Sequence, residues 1–409
     1  MQADLNYMKF LFLIVLVIFF AIDFYAFQTF RSLGLSKKFE KLFWIINVIG
    51  YIGIFYSGFF FSPKQHSSLS RILPQFISAY IILFYIPKLI PIFLGTIEDF
   101  YRTGNKMLSN EWPSRRRFIG LISWGLATVP FFGILHGVFR GRSKYRVLNN
   151  SVKINGLPDG FNGFKILQIS DIHSGSFISY EEVQLGVELI KKQKPDLVVF
   201  TGDLVNNLYS EMEPWINLFK EIEAPMGVYS ILGNHDYGDY VKWPNIEKKK
   251  ENLNKLCQIH DKLGWNLLRN QNATIKKNGD FLDIVGVENW GNPPFPKYGD
   301  LNLALEGLEL KTPKILLSHD PTHFDGEVVH HESNIPLTLS GHTHGMQFGI
   351  EIPGWIKWSP VKFKYPRWAG SYFDEKSQRN LYVNRGFGYL AFPGRVGIWP
   401  EITMHELRK

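Results

Sequence analysis

Five short stretches of the chain end in residues that bind metals. They are Asp171-Ile172-His173, Gly202-Asp203, Gly233-Asn234-His235-Asp236, Ser318-His319-Asp320 and Gly341-His342-Thr343-His344-Gly345. Hard oxygen donors mixed with borderline imidazoles suit Mn, Fe, Zn or similar divalent ions. Cys257 is the single cysteine, which excludes an internal disulfide and any site built from several thiolates of one chain. In Asp171-x-His173 the spacing of two predicts both side chains on one side of an extended backbone. The neighbouring glycines predict sharp turns that lift the ligands clear of the elements before them. An isolated Asp-x-His or Gly-Asp is most often incidental. Five motifs of different type, in one order, point to a common site.

The elements that must position these residues are strands. Each motif follows an apolar run of strand length: 165–170, 197–201, 228–232, 315–318 and 337–340. Between the first two lies an amphipathic helix, with Ser179 and Glu182 as a capping box, Val183, Val187 and Ile190 on one stripe, and Pro195 beyond its end. Strand, helix, strand in this length reads as a βαβ unit. In open α/β sheets the ligand site lies outside the carboxyl ends of the strands, so the five motifs should converge.

The first third of the chain is different. Apolar stretches at 10–27, 43–61, 72–94 and 118–139 have membrane-spanning length and are separated by short basic loops. The first carries Asp23 and the third Lys88, where an ionisable group snorkels or faces another helix. The expected organisation is a four-helix transmembrane region over 1–145 and a soluble domain over 146–409. The formal charge of +8 divides the same way: residues 1–150 hold 17 Lys and Arg against 6 Asp and Glu, and the rest hold 28 against 31. The basic excess therefore belongs to the membrane region, and no nucleic-acid partner is expected.

The ordered motifs resemble the calcineurin-like metallophosphoesterase family over about residues 163 to 407. The likeness is to its membrane-associated bacterial branch, which the tails Tyr382-Val383-Asn384-Arg385-Gly386 and Pro400-Glu401-Ile402-Thr403 also resemble. The resemblance implies an α/β fold, a four-layer α/β/β/α sandwich, and a cofactor of two divalent metal ions. It implies that Asp171, His173, Asp203 and His344 hold the first ion, and that Asp203, Asn234, His319 and His342 hold the second, with Asp203 bridging. It further implies a hydroxide shared by both ions that attacks phosphorus, with His235 as the catalytic partner of the leaving oxygen or transition state. Many relatives place an acid three residues after the bridging Asp to orient that histidine. This chain has Asn206, leaving Asn206 or Asp236 to do so.

The reading is a membrane-anchored, metal-dependent hydrolase of a phosphodiester or diphosphate, with the bilayer and a phosphoester, a lipid among the candidates, as partners. The alternative is a membrane sensor or scaffold with a non-catalytic phosphoesterase domain. Nine basic residues flank the membrane on the side of the first and third loops, against seven on the side shared with the soluble domain. With the Arg115-Arg116-Arg117 triplet before the fourth stretch, which resembles a twin-arginine export signal, this leans toward a catalytic domain outside the cytoplasm of a bacterial inner-membrane protein. His66, His136, His260, His323, His330 and His331 are expected to be surface or structural residues. The run from Lys362 to Trp368 is expected to line a substrate groove, touch a membrane interface or pack as an ordinary loop.

Overall fold

The computed structural model describes residues 2–60, 68–106, 113–293, 295–352 and 354–409. Phe61, Lys64 and His66 lie outside them. The chain divides into two compact units, 1–139 with 391–393, and 140–390 with 394–409.

The first unit holds four helices, α1 (Gln2–Arg31), α2 (Lys37–Phe60), α3 (Ser68–Lys106) and α4 (Pro113–Phe139), each long and apolar enough to cross a membrane. The third runs twelve residues past the apolar stretch that ends at Leu94. Glu98 on that extension takes a two-pronged contact from Arg115 of α4, at 2.9 Å from Nε and 2.5 Å from Nη2. Asp23 and Lys88 face neighbouring helices and do not snorkel. Lys88 Nζ lies 2.5 Å from Asp23 Oδ1 and 2.7 Å from Asn47 Oδ1, and the hydroxyls of Tyr51 and Tyr85 donate to Asp23 Oδ2. An ion pair inside a bundle needs this many partners, because a single unpaired charge there is costly.

The second unit is built on two six-stranded sheets. The first contains β1 (Arg146–Lys153), β2 (Lys165–Ile169), β3 (Leu197–Phe200), β4 (Val228–Ser230), β5 (Asn266–Leu267) and β14 (Glu401–Arg408), ordered β1-β14-β2-β3-β4-β5. The second contains β6 (Gln271–Lys277), β7 (Asp280–Gly286), β8 (Lys314–Leu317), β9 (Leu337–Ser340), β12 (Gly370–Asp374) and β13 (Arg379–Val383), ordered β12-β13-β9-β8-β7-β6. A hairpin of β10 (Ile350–Ile352) and β11 (Ile356–Trp358) stands apart. The strands β2, β3 and β4 run parallel, as do β8 and β9, and all are buried on both faces, which is why they read as continuous apolar runs.

Alternation along the strands builds the layers. Ile166, Leu197 and Val199 of the first sheet pack against Ile315, Leu317, Leu337 and Leu339 of the second. Leu167, Val198 and Phe200 point the other way, onto Val183, Val187 and Ile190 of α5 (Tyr180–Gln193) and, past the short α6 (Ile216–Phe219), Leu256 and Ile259 of α7 (Ile246–Leu263). Val285, Leu316 and Leu381 cover the outer face of the second sheet with Leu301, Phe324 and Val328. The result is the four-layer α/β/β/α sandwich. Half of the expected capping box forms: Ser179 Oγ accepts the Glu182 amide at 3.2 Å, while the Glu182 carboxylate turns to Arg142 at 2.8 Å.

Candidate metal centre

The five motif loops leave the carboxyl ends of β2, β3, β4, β8 and β9, and short contacts join them. His344 Nε2 lies 3.2 Å from Asp171 Oδ1, and His173 Nε2 and His319 Nε2 lie 3.4 and 3.2 Å from Asp203 Oδ2. His342 Nδ1 stands 2.8 Å from Asn234 Oδ1 and 3.3 Å from His319 Nε2. The His342 amide donates to Asp171 Oδ1 at 3.0 Å, and the seven residues form one connected cluster. Ligand atoms of Asp171, His173 and His344 all fall within 4.8 Å of one another, and so do those of Asp171, Asp203 and His319.

The backbone that aims them is not extended. Asp171, His173, Asp203, His342 and His344 have φ of 51°, 48°, 62°, 74° and 51°, in the left-handed region. Each such residue costs roughly 1–3 kcal/mol and persists only where its surroundings impose it. The extended geometry expected for Asp171 and His173 is thus corrected: two left-handed residues flanking Ile172 turn both side chains inward. The Asp236 carboxylate holds one loop in place, accepting the amides of Asp203, Leu204, Val205 and Gly233 at 2.8–3.2 Å. Gly341 is required for space, since a Cβ there would stand 1.9 Å from Ser170 Oγ and 2.3 Å from Asp171 Oδ2.

Electrostatics prepare the cluster for cations. Burial pushes the Asp171 and Asp203 carboxyls up, but the surrounding imidazoles, His344 for Asp171 and His319 for Asp203, override it and hold both well below the usual range. Burial pushes His173 and His342 down, so both are neutral. Burial opposes protonation of His319 too, yet the Asp203 carboxylate overrides it and pushes the imidazole up to about 10. Asp236 is pushed up to about 7 by burial and by Asp203, against the amides that favour its ionised form.

The residues fit a metal. His173 Nε2 and His344 Nε2 are buried without a hydrogen-bond partner, an arrangement that costs free energy unless something satisfies the nitrogens. The opposite ring nitrogens are engaged. His173 Nδ1 donates to Asn206 Oδ1 at 3.1 Å, His319 Nδ1 to the Thr201 carbonyl at 2.7 Å, and His342 Nε2 contacts Tyr365 Oη at 2.7 Å. At His173 the outer N–H spent in this way turns the inner lone pair toward a cation.

His235 lies beside the cluster. Its amide donates to Asp203 Oδ1 at 2.8 Å, and its Nδ1 lies 2.8 Å from the Asn206 main-chain carbonyl, an acceptor only, so Nδ1 carries a proton. The alternatives for orienting His235 resolve here: the Asn206 backbone does it, while the Asn206 side chain serves His173 and Asp236 serves the loop. Tyr365, Asp320 and Tyr240 complete the surroundings. Asp320 Oδ2 lies 3.6 Å from His342 Nε2, and Tyr240 Oη accepts from Asn234 Nδ2 at 2.7 Å. Tyr365 stood in the aromatic run from Lys362, and Asp320 directly follows a ligand, but nothing in either spacing marks a contact with His342. His323 and His260 are buried and bonded to Ser318 and Ser230, in structural positions.

Comparison with known proteins gives the family of both segments. Residues 164–346 match the family model described as "Calcineurin-like phosphoesterase", and residues 8–142 match "Probable Calcineurin-like phosphoesterase, transmembrane domain". The "Uncharacterized metallophosphoesterase YkuE" of Bacillus subtilis (strain 168) is 32% identical over 63% of this chain and 84% of its own length. The chain belongs to the calcineurin-like phosphoesterases. This family membership makes it a metallophosphoesterase, a hydrolase with four candidate membrane spans. Two further relatives of the family carry named activities. The "Phosphodiesterase YaeI" of Escherichia coli (strain K12) is 27% identical over 72% of this chain and 99% of its own. The "UDP-2,3-diacylglucosamine pyrophosphatase LpxG" of Chlamydia trachomatis is 28% identical over 57% and 81%.

Proposed function

We propose that this membrane-anchored phosphoesterase hydrolyses a phosphodiester or diphosphate of a lipid, using two divalent ions held by the seven residues above. The observation that carries the two-ion reading is the position of Asp203 Oδ2, within 3.4 Å of both His173 Nε2 and His319 Nε2, which joins one half of the cluster to the other. When bound, the ions supply Lewis acidity and an activated water for in-line attack on phosphorus. The chain's own residues do the rest. Asp171, His173 and His344 would hold the first ion and Asn234, His319 and His342 the second, with Asp203 shared, and the bound charges would neutralise the phosphoryl oxygens. His235, with Nδ1–H fixed on the Asn206 carbonyl, keeps Nε2 for the substrate, where it serves the leaving oxygen or the transition state as the P–O bond breaks.

The lipid part is supported by economy and by kinship. Four candidate spans tether the chain to a bilayer, which raises the effective concentration of a membrane-bound substrate and does nothing for a freely diffusing one. One relative, LpxG, is named for a diacylated substrate. The test compares a lipid-linked diester or diphosphate with its water-soluble head-group analogue, using the full chain in bilayers. A faster rate on the lipid is expected, and equal rates would sink the lipid reading. We also propose that the catalytic domain faces away from the cytoplasm, on the nine-to-seven balance of basic residues and the Arg115 to Arg117 triplet. Reporter fusions after Arg146 decide it: an export-dependent reporter is expected to be active, and activity of a cytoplasm-only reporter would reverse the topology.

A further inference from the structure

The two most exposed large hydrophobic side chains among the described residues are not on the membrane-spanning helices. They are Phe363 at 80% and Trp355 at 77%, ahead of Phe100 at 76% on α3. Both belong to the segment from Met346 to Trp368, which includes the β10–β11 hairpin and also leaves Ile350 and Ile352 exposed. The segment carries Lys357, Lys362, Lys364 and Arg367 against one acid, Glu351. Glu351 pairs with Arg385 at 2.5 Å, Arg367 pairs with Asp325 at 3.0 Å, and Lys357 Nζ is held by the Ala369 carbonyl, so the positive excess is carried by Lys362 and Lys364. Isolated exposed hydrophobics are common, but four exposed aromatic and branched residues within one short segment, with lysines among them, mark an interaction surface.

The segment is also fastened to the metal-ligand loop. Thr343 Oγ1 donates to the Trp368 carbonyl at 2.6 Å, Ser359 Oγ to the Gly345 carbonyl at 2.7 Å, and Tyr365 Oη meets His342 Nε2 at 2.7 Å. Buried Tyr365, Trp368 and Ile398 form a small core beneath it. Whatever the exposed side chains touch is thereby held beside the ligands.

We propose that this segment is an interfacial docking surface that rests Trp355, Phe363, Ile350 and Ile352 in the head-group region of an anionic bilayer. Three observations commit the surface to that occupant. Trp with Lys is the side-chain pairing that membrane–water interfaces favour. The positive excess complements anionic lipid. A chain with four spanning helices works beside a bilayer throughout its life. The consequence for the reaction is that a lipid head group is met at the interface by the loop that carries His342 and His344. That consequence rests on the lipid-substrate reading above, whereas the docking itself does not.

The test uses the full chain reconstituted in phosphatidylcholine–phosphatidylglycerol vesicles, with Cys257→Ser as background and an environment-sensitive fluorophore at Phe363→Cys. The control position is Phe373→Cys, exposed and paired with Asn380 at the start of β13, the strand end opposite the metal ligands. Quenching by lipids spin-labelled near the head group is expected to be several-fold stronger at 363 than at 373. Equal quenching at both positions, or shielding at 363 that persists in detergent because a second chain covers it, would overturn the proposal. A second arm uses Trp355→Ser with Phe363→Ser. Activity on a vesicle-embedded lipid phosphodiester is expected to fall by about tenfold or more, on the scale of losing two buried aromatic side chains, with bis(p-nitrophenyl) phosphate cleaved at the unaltered rate. Insertion at 363 with no loss on the lipid diester would keep the docking surface and remove the lipid-substrate reading. Equal loss on both compounds would overturn the docking role.

Discussion

At the scale of single residues, the site is a set of imidazoles whose two nitrogens have different work. His173 and His319 spend Nδ1 on oxygen acceptors and turn Nε2 inward, while His342 does the reverse. His235 stands apart from them, because its Nδ1 proton is fixed on a backbone carbonyl and none of its ring atoms contacts the ligand carboxylates among the hydrogen bonds observed. A separation of chemistry from metal binding follows. His235→Ala is expected to retain its metal and lose roughly 10² to 10⁴ in rate, the range for a positioned acid or base. His344→Ala, which removes a buried Nε2 facing Asp171, is expected to lose metal. Metal content and turnover measured on both variants check this, and equal metal loss in the two would remove His235 from the catalytic role. Residue types and their order at strand ends pointed to one common site, while the division into ligand sets and the role of His235 came only from the resemblance to the family. The outer contacts were not legible. That Asn206 serves His235 through its carbonyl and His173 through its side chain depends on backbone placement, which residue type does not encode.

At the scale of elements, the strands were readable because apolar runs buried on both faces have few other uses. All five runs that precede the motifs are strands; four end a residue or two earlier where the loop begins, and the fifth, 337–340, is unchanged. What the pattern could not report is the handedness of the backbone beyond them. Five candidate ligands sit at positive φ, a conformation for which Asp and His are enriched but which most Asp and His residues do not adopt. The glycines next to them were readable as turn residues, but Gly341 acts by leaving room for Ser170 and Asp171 from another strand, a contact across sheets. Gly341→Ala is therefore expected to displace Asp171, cost about 1–3 kcal/mol of stability as an overpacked site, and reduce metal content. Thermal melting together with metal analysis checks it, and an unchanged metal content would mean that the loop has more room than the structure gives it. In the membrane unit, Asp23 and Lys88 were visible as ionisable residues in apolar stretches. Their pairing, with Asn47, Tyr51 and Tyr85 around them, depends on how four helices meet and not on any spacing within one.

At the scale of the whole molecule, two compact units divide the work, one with four candidate membrane spans and one with the candidate metal centre. The charge division along the sequence already separated them, and the family comparisons fall on the same two segments. The account depends most on one feature, the Asp203 carboxylate between His173 and His319, which makes a single centre of two ligand sets. The measurement that tests it most directly is metal content against activity for the purified full chain and its Asp203→Asn variant. The account predicts two divalent ions per active chain, in keeping with two-metal hydrolysis, and a variant that loses both ions and turnover together. Full activity with one ion or none per chain, or an Asp203→Asn variant that keeps both ions and its rate, would contradict it.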